Sequence, residues 1–489
     1  MKNGMIFQGF EWNTWGDGNY YKEMEKKIDE LKEMGITAFW LPPICKATGT
    51  NDTGYGVYDL FDLGEFDQRG SVRTKYGTKE ELLHLVEKLH ENGIDVYIDV
   101  VLNHKAGADR KERFRAVKVQ DDNRTLEAGE TKDIEGWTGF DFPGRKGRYS
   151  RFKWNFNHFT GVDYDALANE GGIYRIIGEN KGWNWGVSGE KGNFDYLIFT
   201  DVDLSHPDVK KELKRWADWV IDQVKPDGFR MDAVKHMDKA FMKEFVKHVR
   251  KKHGQDFYVL GEYWTHDFAQ MQQYLAELDY EMDLFDVSLH FNLYEASKRH
   301  ADYDLTKIFD NTLVQKYPTM AVTFVDNHDS QPYQSLESWV EPWFKEIAYG
   351  LILLRKDGYP VIFSGDYYGL ADGTYGGLHD PIRDIAQIRK YFAYGQQDDY
   401  FNNRNCVGWV RHGNEEHPVK SAIVISNAGM ATLRMFVGKE QKGKVYADYL
   451  GNSTNKIRID DEGFGNFEVG NVSISIWIED GIDFMEIGK

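Results

Sequence analysis

The sequence predicts an α/β fold of the (β/α)8 TIM-barrel class, with an inserted domain after the third strand and a C-terminal antiparallel β-sandwich domain. Three observations carry this. Eight apolar, strand-like runs are separated by enough chain for crossover helices, about a hundred residues after the third run lose that rhythm, and short strands alternate with turn residues from about 393 onward. Eight β-α units close into a parallel barrel more naturally than they spread into an open sheet. The open alternative, a doubly wound sheet, lacks the Gly-rich phosphate loop expected after its first strand.

The elements follow in order. "MIFQGF" leads into "YYKEMEKKIDELKEMG", where Met24, Ile28, Leu31 and Met34 recur at helical spacing before a closing Gly35. "ITAFWLPP" is the second strand. A second helix-then-glycine segment, "KEELLHLVEKLHENG", delivers the third, "DVYIDVVLNH". The pattern resumes at "DVKKELKRWADWVIDQVKPDGFRMD", and "FYVLGEYW", "LFDVSLHF", "MAVTFVDNHD" and "YPVIFSGDYYG" complete the eight. The interruption is too long for a loop without structure of its own, so the barrel is assigned to 1–103 and 208–392 and the insert to 104–207. "CVGWVRHG", "SAIVISNAG", "KVYADYLG", "KIRIDDEG" and "VSISIWIED" mark 393–489 as the β domain. Its aromatics, Trp409 among them, suit packing better than sugar binding. With no repeats of solenoid length and no low-complexity linker, the three parts are expected to pack tightly.

Composition narrows the partners. A chain of 489 residues can bury a large core over two or three domains. A net charge of −19 repels nucleic acid and anionic lipid, and no apolar run of about 20 residues is present to span a membrane. A neutral ligand and a monomeric chain are expected. The N-terminal segment lacks the features of a signal peptide, which predicts a cytoplasmic address unless a secretory leader has been removed. Two distant cysteines, Cys45 and Cys406, fit a reducing compartment. Most of the 14 Trp and 28 Tyr belong in a core this large, and a minority lining a cleft would serve as sugar platforms.

The chemistry sits at strand ends. In "GFRMDAVKH", Arg230 and Asp232 share a strand face, and a buried Arg-x-Asp alone is as readily a structural ion pair as a functional one. Asp232, Glu262 in "VLGEYW" and Asp329 in "FVDNHD" end the fourth, fifth and seventh strands, so a barrel gathers them at one mouth. Glycoside hydrolysis uses such a set: one carboxylate attacks the anomeric carbon while a carboxylic acid protonates the leaving oxygen. Arg230 favours an ionised, nucleophilic Asp232. The apolar neighbours of Glu262 favour a protonated general acid. Asp329, beside His328, is left to stabilise the cationic transition state or hold hydroxyls. His104 and His236 recur at these same ends, where a single histidine is usually a satisfied loop residue.

"DVVLNH", "GFRMDAVKH", "GEYW" and "FVDNHD", in that order, resemble the four signature segments of the α-amylase family, glycoside hydrolase family 13. "QGFEWNTWGDG", "GYGVYDLFDLGEFDQRGSVRTKYGTKEEL" and "GNFDYLIFTDVDLSHPDV" are similar to its bacterial liquefying branch. The resemblance implies a retaining endohydrolase of α-1,4-glucans, with Asp232 as nucleophile, Glu262 as acid/base and Asp329 as stabiliser. It implies that Arg230, His104 and His328 support the central sugar, that Tyr58 stacks on it, and that Lys235, His236 and Trp264 line neighbouring subsites. It also implies a structural Ca²⁺ held by Asn103, Asp195, Asp201 and the His236 backbone oxygen, which would staple the insert to the barrel. Asn184 and Ser205 stand where the branch has carboxylates for a second metal cluster, although Asp163 and Asp203 remain. One calcium is therefore expected. Glycosyl transfer through the same intermediate, and a non-catalytic glycan-binding protein on the same scaffold, are the competing readings.

Overall fold

The computed structural model describes residues 3–482, and in it the eight runs pair in parallel and close on themselves. The barrel strands are β1 (Ile6–Gln8), β2 (Ala38–Leu41), β3 (Asp95–Val100), β4 (Gly228–Met231), β5 (Tyr258–Gly261), β6 (Asp283–Phe285), β7 (Ala321–Phe324) and β8 (Tyr359–Phe363). Most are buried on both faces, as strands wrapped by helices must be. Register sets the site: Arg230 of β4 lies opposite Asp99 of β3 and Leu260 of β5.

Local signals explain where the crossover helices begin. Thr78 and Glu81 form a reciprocal capping box on the helix Lys79–Glu91, and Asp238 and Asp286 cap Lys239–His253 and Val287–Arg299. The first helical segment is broken into Tyr20–Glu25 and Ile28–Met34, and Gly35 closes the second with φ 92°, a left-handed conformation glycine adopts without penalty. Of "LFDVSLHF" only Leu284 and Phe285 are strand, the end of the three-residue Asp283–Phe285. After it, Asp286 caps the next helix, which takes Val287 onward.

Between β3 and the helix Pro207–Val224, residues His104 to Val202 form a six-stranded sheet rather than a loop. A further excursion lies between β2 and β3, where Lys46–Ala47 pairs with Val57–Asp59 in a small antiparallel ladder. The C-terminal region is a six-stranded antiparallel sheet faced by the ladder Ala431–Phe436 with Phe464–Val469. Alternation divides its side chains: Val407, Trp409, Ile423, Ile425, Ile474 and Ile476 join the barrel core, while Val410, Ala422, Val424 and Trp477 pack with Met435 and Phe467 of the ladder. Trp409 is fully buried and donates to the Leu354 carbonyl at 3.2 Å, so it is a packing residue.

Candidate active site

The C-terminal ends of the strands surround a cleft of about 310 Å³ whose walls include Asp232, Glu262, Asp329, His104, Lys235, His236 and Trp264. Beneath its floor lies Arg230, with no solvent exposure. Its Nη1 donates to Asp232 Oδ1 at 2.7 Å and to Asp99 Oδ1 at 2.9 Å, and its Nη2 lies 2.9 Å from Glu262 Oε2. One guanidinium thus holds three carboxylates, two of which reach the cleft. Glu262 also accepts the Ala233 N–H at 3.0 Å, and Ala233 adopts φ 51° to present it. The setting of Glu262 is therefore polar and charged, not the apolar one its neighbours in sequence suggest.

Burial pushes the carboxyls of Asp232, Glu262 and Asp329 upward, since a low-dielectric site disfavours charge. For Asp232 the opposing Arg230 charge is in direct contact. Asp329 has no such partner at contact distance and is raised furthest, with the Glu262 charge adding to burial. Asp329 and Glu262 are within hydrogen-bonding reach, and the Asp232 charge adds to the upward push on both, while the Arg230 charge opposes it on all three.

The loop bearing Asp329 is fixed from behind. Asn327 Oδ1 accepts the N–H of Asp329 and of Ser330, each at 2.9 Å, and Ser330 donates to Asp326 at 2.8 Å. Asp326 is bound in turn by the fully buried Lys345, which also lies 2.6 Å from Asp366. His328 lies under the floor. Gln8 Nε2 donates to its Nδ1 at 3.0 Å and Tyr55 OH lies 2.6 Å from its Nε2. As the Tyr55 hydroxyl gives its proton to Asp99 at 3.0 Å, His328 is neutral and carries its proton on Nε2. Burial and the Arg230 charge keep it so. His104 donates from Nε2 to the Tyr55 carbonyl at 2.9 Å, and burial lowers its pKa to about 4.

One expected subsite residue lies elsewhere. Tyr58 is only 1% exposed, donates to Asp109 at 2.7 Å and packs edge-on against Phe142 at 5.3 Å. It belongs to the Val57–Asp59 ladder, whose alternation turns it toward the insert. Tyr55, in the turn just before, lines the cleft instead, stacked on His328 at 5.2 Å and on Trp12 at 6.0 Å. Asp99, Tyr55, Trp12 and Gln8 were missed by the sequence reading. Asp99 had a visible signal, an acid at an inward-facing position of an apolar strand. The cleft residues Leu197, Ile198 and Leu336 had none, being apolar residues in loops.

Lys235 Nζ bonds the Trp264 carbonyl at 2.9 Å and Glu190 at 3.1 Å, and His236 Nδ1 bonds the Phe194 carbonyl at 2.8 Å. These contacts tie the insert to the barrel beside the expected metal ligands. Asn103 Nδ2 lies 3.4 Å from Asp201 Oδ1, Thr160 donates to Asp201, and Asp195 is next to Phe194. Asp195 and Asp201 are buried within hydrogen-bonding reach of each other, and neither makes an ion pair among the described residues. Burial raises both, with the Asp195 charge adding at Asp201 and the Asp203 charge adding at Asp195, which is raised to about 7. Two facing buried carboxylates with hard oxygen donors around them fit a divalent cation such as Ca²⁺.

The positions of a second cluster are differently filled. Asn184 donates to Asp195 at 3.1 Å, Ser205 donates to Asp203 at 2.6 Å, and Lys181 supplies a positive charge 2.9 Å from Asp203, while Asp163 is exposed. His158, His206 and Asp208 also gather near one another. Each ring accepts a backbone N–H at Nδ1, which leaves a proton rather than a lone pair on the other nitrogen. That group is a poor metal site.

A closed (β/α)8 barrel with carboxylates converging on one arginine at its mouth defines a glycoside-hydrolase class of site. The profile of the α-amylase catalytic domain matches residues 7–428, that of the α-amylase C-terminal domain matches 422–478, and the chain belongs to the α-amylase family. It is 46% identical to a glucan 1,4-α-maltohexaosidase of Bacillus sp. (strain 707), over 97% of this chain and 92% of the relative. It is 40% identical to a cytoplasmic α-amylase of Escherichia coli (strain K12), over 98% and 99% of the two chains. Among solved structures, an α-amylase from Geobacillus thermoleovorans complexed with acarbose superposes with a TM-score of 0.64 at 20% identity, covering 98% and 99%. At that identity the likeness speaks for the fold alone.

Proposed function

We propose that this α-amylase cuts internal α-1,4 bonds of starch, glycogen and maltodextrins with retention of configuration. The observation that carries the reading is the shared guanidinium: Arg230 contacts Asp232 at 2.7 Å and Glu262 at 2.9 Å, with both acids walling the cleft. Asp232 and Glu262 are within hydrogen-bonding reach, too close to seat an attacking water between them as inversion requires. Asp232 attacks the anomeric carbon, Glu262 gives its proton to the leaving oxygen, and Asp329 holds the distorted sugar. Water then enters, gives its proton back to Glu262 and releases the α-product. Tyr55 is the ring beside the central sugar, His104, Lys235, His236 and Trp264 face the chain, and Arg230 and His328 position the acids.

Asn103, Asp195, Asp201 and the His236 backbone would hold one Ca²⁺, which supplies no chemistry to the bond broken and fixes the insert against the barrel. Chelation should lower Tm, and metal analysis after equilibrium dialysis should find one tightly bound calcium per chain. More than one would contradict the role given to Lys181. The free, buried Cys45 and Cys406 and the cytoplasmic relative support an intracellular address.

The test is to follow chain length and anomeric form during digestion of amylose and maltoheptaose. Early mid-chain cuts yielding α-anomers are expected. Products longer than the starting oligosaccharide would point to a transferase, and no change at all to a binding protein.

A further inference from the structure

The loop after β7 holds a tyrosine in a conformation that tyrosine avoids. Tyr333 has φ 67°, in the left-handed region where a side chain with a Cβ is strained. Its ring is 80% exposed, the most exposed large hydrophobic side chain among the described residues. Packing therefore gives this position no reason to carry an aromatic ring, and glycine would relieve the backbone. Strain of this kind persists only where the surroundings enforce it. They do so here: Glu337 accepts the Tyr333 N–H at 2.8 Å, and the Gln334 N–H bonds the Gln331 carbonyl at 3.3 Å.

The loop that carries the ring also forms part of the cleft wall. Two residues earlier, Gln331 accepts the Trp12 N–H at 3.0 Å and donates to Glu11 at 3.0 Å, locking the loop to the wall that Trp12 forms. Two and three residues later, Ser335 and Leu336 are themselves part of the wall. Tyr333 is thus bracketed along the chain by cleft residues, four positions beyond Asp329.

We propose that Tyr333 forms an outer glucan subsite, its ring stacking on a glucosyl unit beyond the catalytic pocket and so selecting chains long enough to reach it. A flat apolar face with a polar tip suits a pyranose, which offers C–H groups on its face and hydroxyls at its edge. The inference rests on the glucan-hydrolase reading above and assigns a determinant of chain-length preference to that site.

The experiment compares the parent with Tyr333→Gly and Tyr333→Phe on a long maltodextrin and on an activated maltotrioside. For Tyr333→Gly the ratio of kcat/KM for the long chain to that for the short one should fall about three- to tenfold, the worth of one aromatic contact. Its Tm should hold or rise, because the strain leaves with the ring. Tyr333→Phe should keep the parental ratio. A purely structural tyrosine would instead lower Tm in the glycine variant and slow both substrates alike. An unchanged ratio in Tyr333→Gly overturns the proposal, whereas a parent inactive on both substrates overturns the reading beneath it.

Discussion

The two ends of this barrel are built from the same strands and are filled by different side chains. At the N-terminal end, the rings of Tyr97 of β3, Tyr258 of β5 and Tyr359 of β8 pack together, with Asp283 of β6 hydrogen-bonded to Tyr258. The Tyr97 and Tyr258 centroids are 4.8 Å apart, and the Tyr97 and Tyr359 hydroxyls 3.3 Å. Two residues further along, on the same strand faces, Asp99 replaces Tyr97 and Arg230 replaces Gly228. Gly228 is small for a reason: a Cβ there would lie 2.9 Å from both Tyr97 Cδ1 and Tyr258 Cβ. The mouth then gathers Asp99, Asp232, Glu262 and Asp329 around a single buried cation. Rings pack together at one end, and at the other stand the carboxylates proposed above to do the chemistry.

This contrast predicts effects of different kinds at the two ends. Asp232→Asn should cut turnover by about a thousandfold or more, the scale on which losing a nucleophile is felt, without lowering Tm; hydrolysis within tenfold of the parent would remove Asp232 from its role. Arg230→Met should cost about 3–5 kcal/mol in denaturant unfolding, since it leaves buried carboxylates without their cation. A loss below about 1 kcal/mol would mean that the carboxylates relieve themselves by taking up protons. At the other end, Gly228→Ala should cost about 1–3 kcal/mol through overpacking against the tyrosines. Tyr97→Phe, which deletes one hydroxyl contact, should cost about 1 kcal/mol and leave kcat/KM unchanged. A tenfold fall in its kcat would show that the ends are coupled.

The smallest effect concerns pH. His290 bonds the Val325 carbonyl at 2.6 Å and Ser338 at 2.8 Å, and burial lowers its pKa from 6.5 to about 4. The unfolded imidazole takes up a proton that the folded one refuses, so this residue's contribution to stability is present above pH 6.5 and is lost as the pH falls toward 4. Comparing unfolding of the parent and His290→Gln across that window should show a shallower acid-side decline in the variant, and parallel curves would exclude the residue as a source.

Much of this architecture was legible because it repeats. Eight strand-helix alternations and glycine-terminated helices are periodic signals, and the acids at strand ends inherit their position from the barrel. What escaped was set by register and loop path. Asp99 pairs with Arg230 only through the β3–β4 alignment. Tyr55 and Tyr58 stand three residues apart in one polar segment, and only the small ladder decides which of them reaches the cleft. Three strands of the C-terminal domain, Gln397–Asn403, Ala431–Phe436 and Phe464–Val469, were also missed, because their polar exposed faces dilute the apolar pattern.

In the proposed mechanism the carboxylate gripped by Arg230 becomes covalently attached to the sugar. An activated maltosyl fluoride bearing a second fluorine on the sugar ring, chosen to slow release of the intermediate, would be incubated with the protein, followed by intact mass measurement and peptide mapping. One maltosyl adduct per chain is expected, on the peptide containing Asp232. An adduct on Glu262 or Asp329, or rapid hydrolysis with the β-anomer as first product, would contradict it.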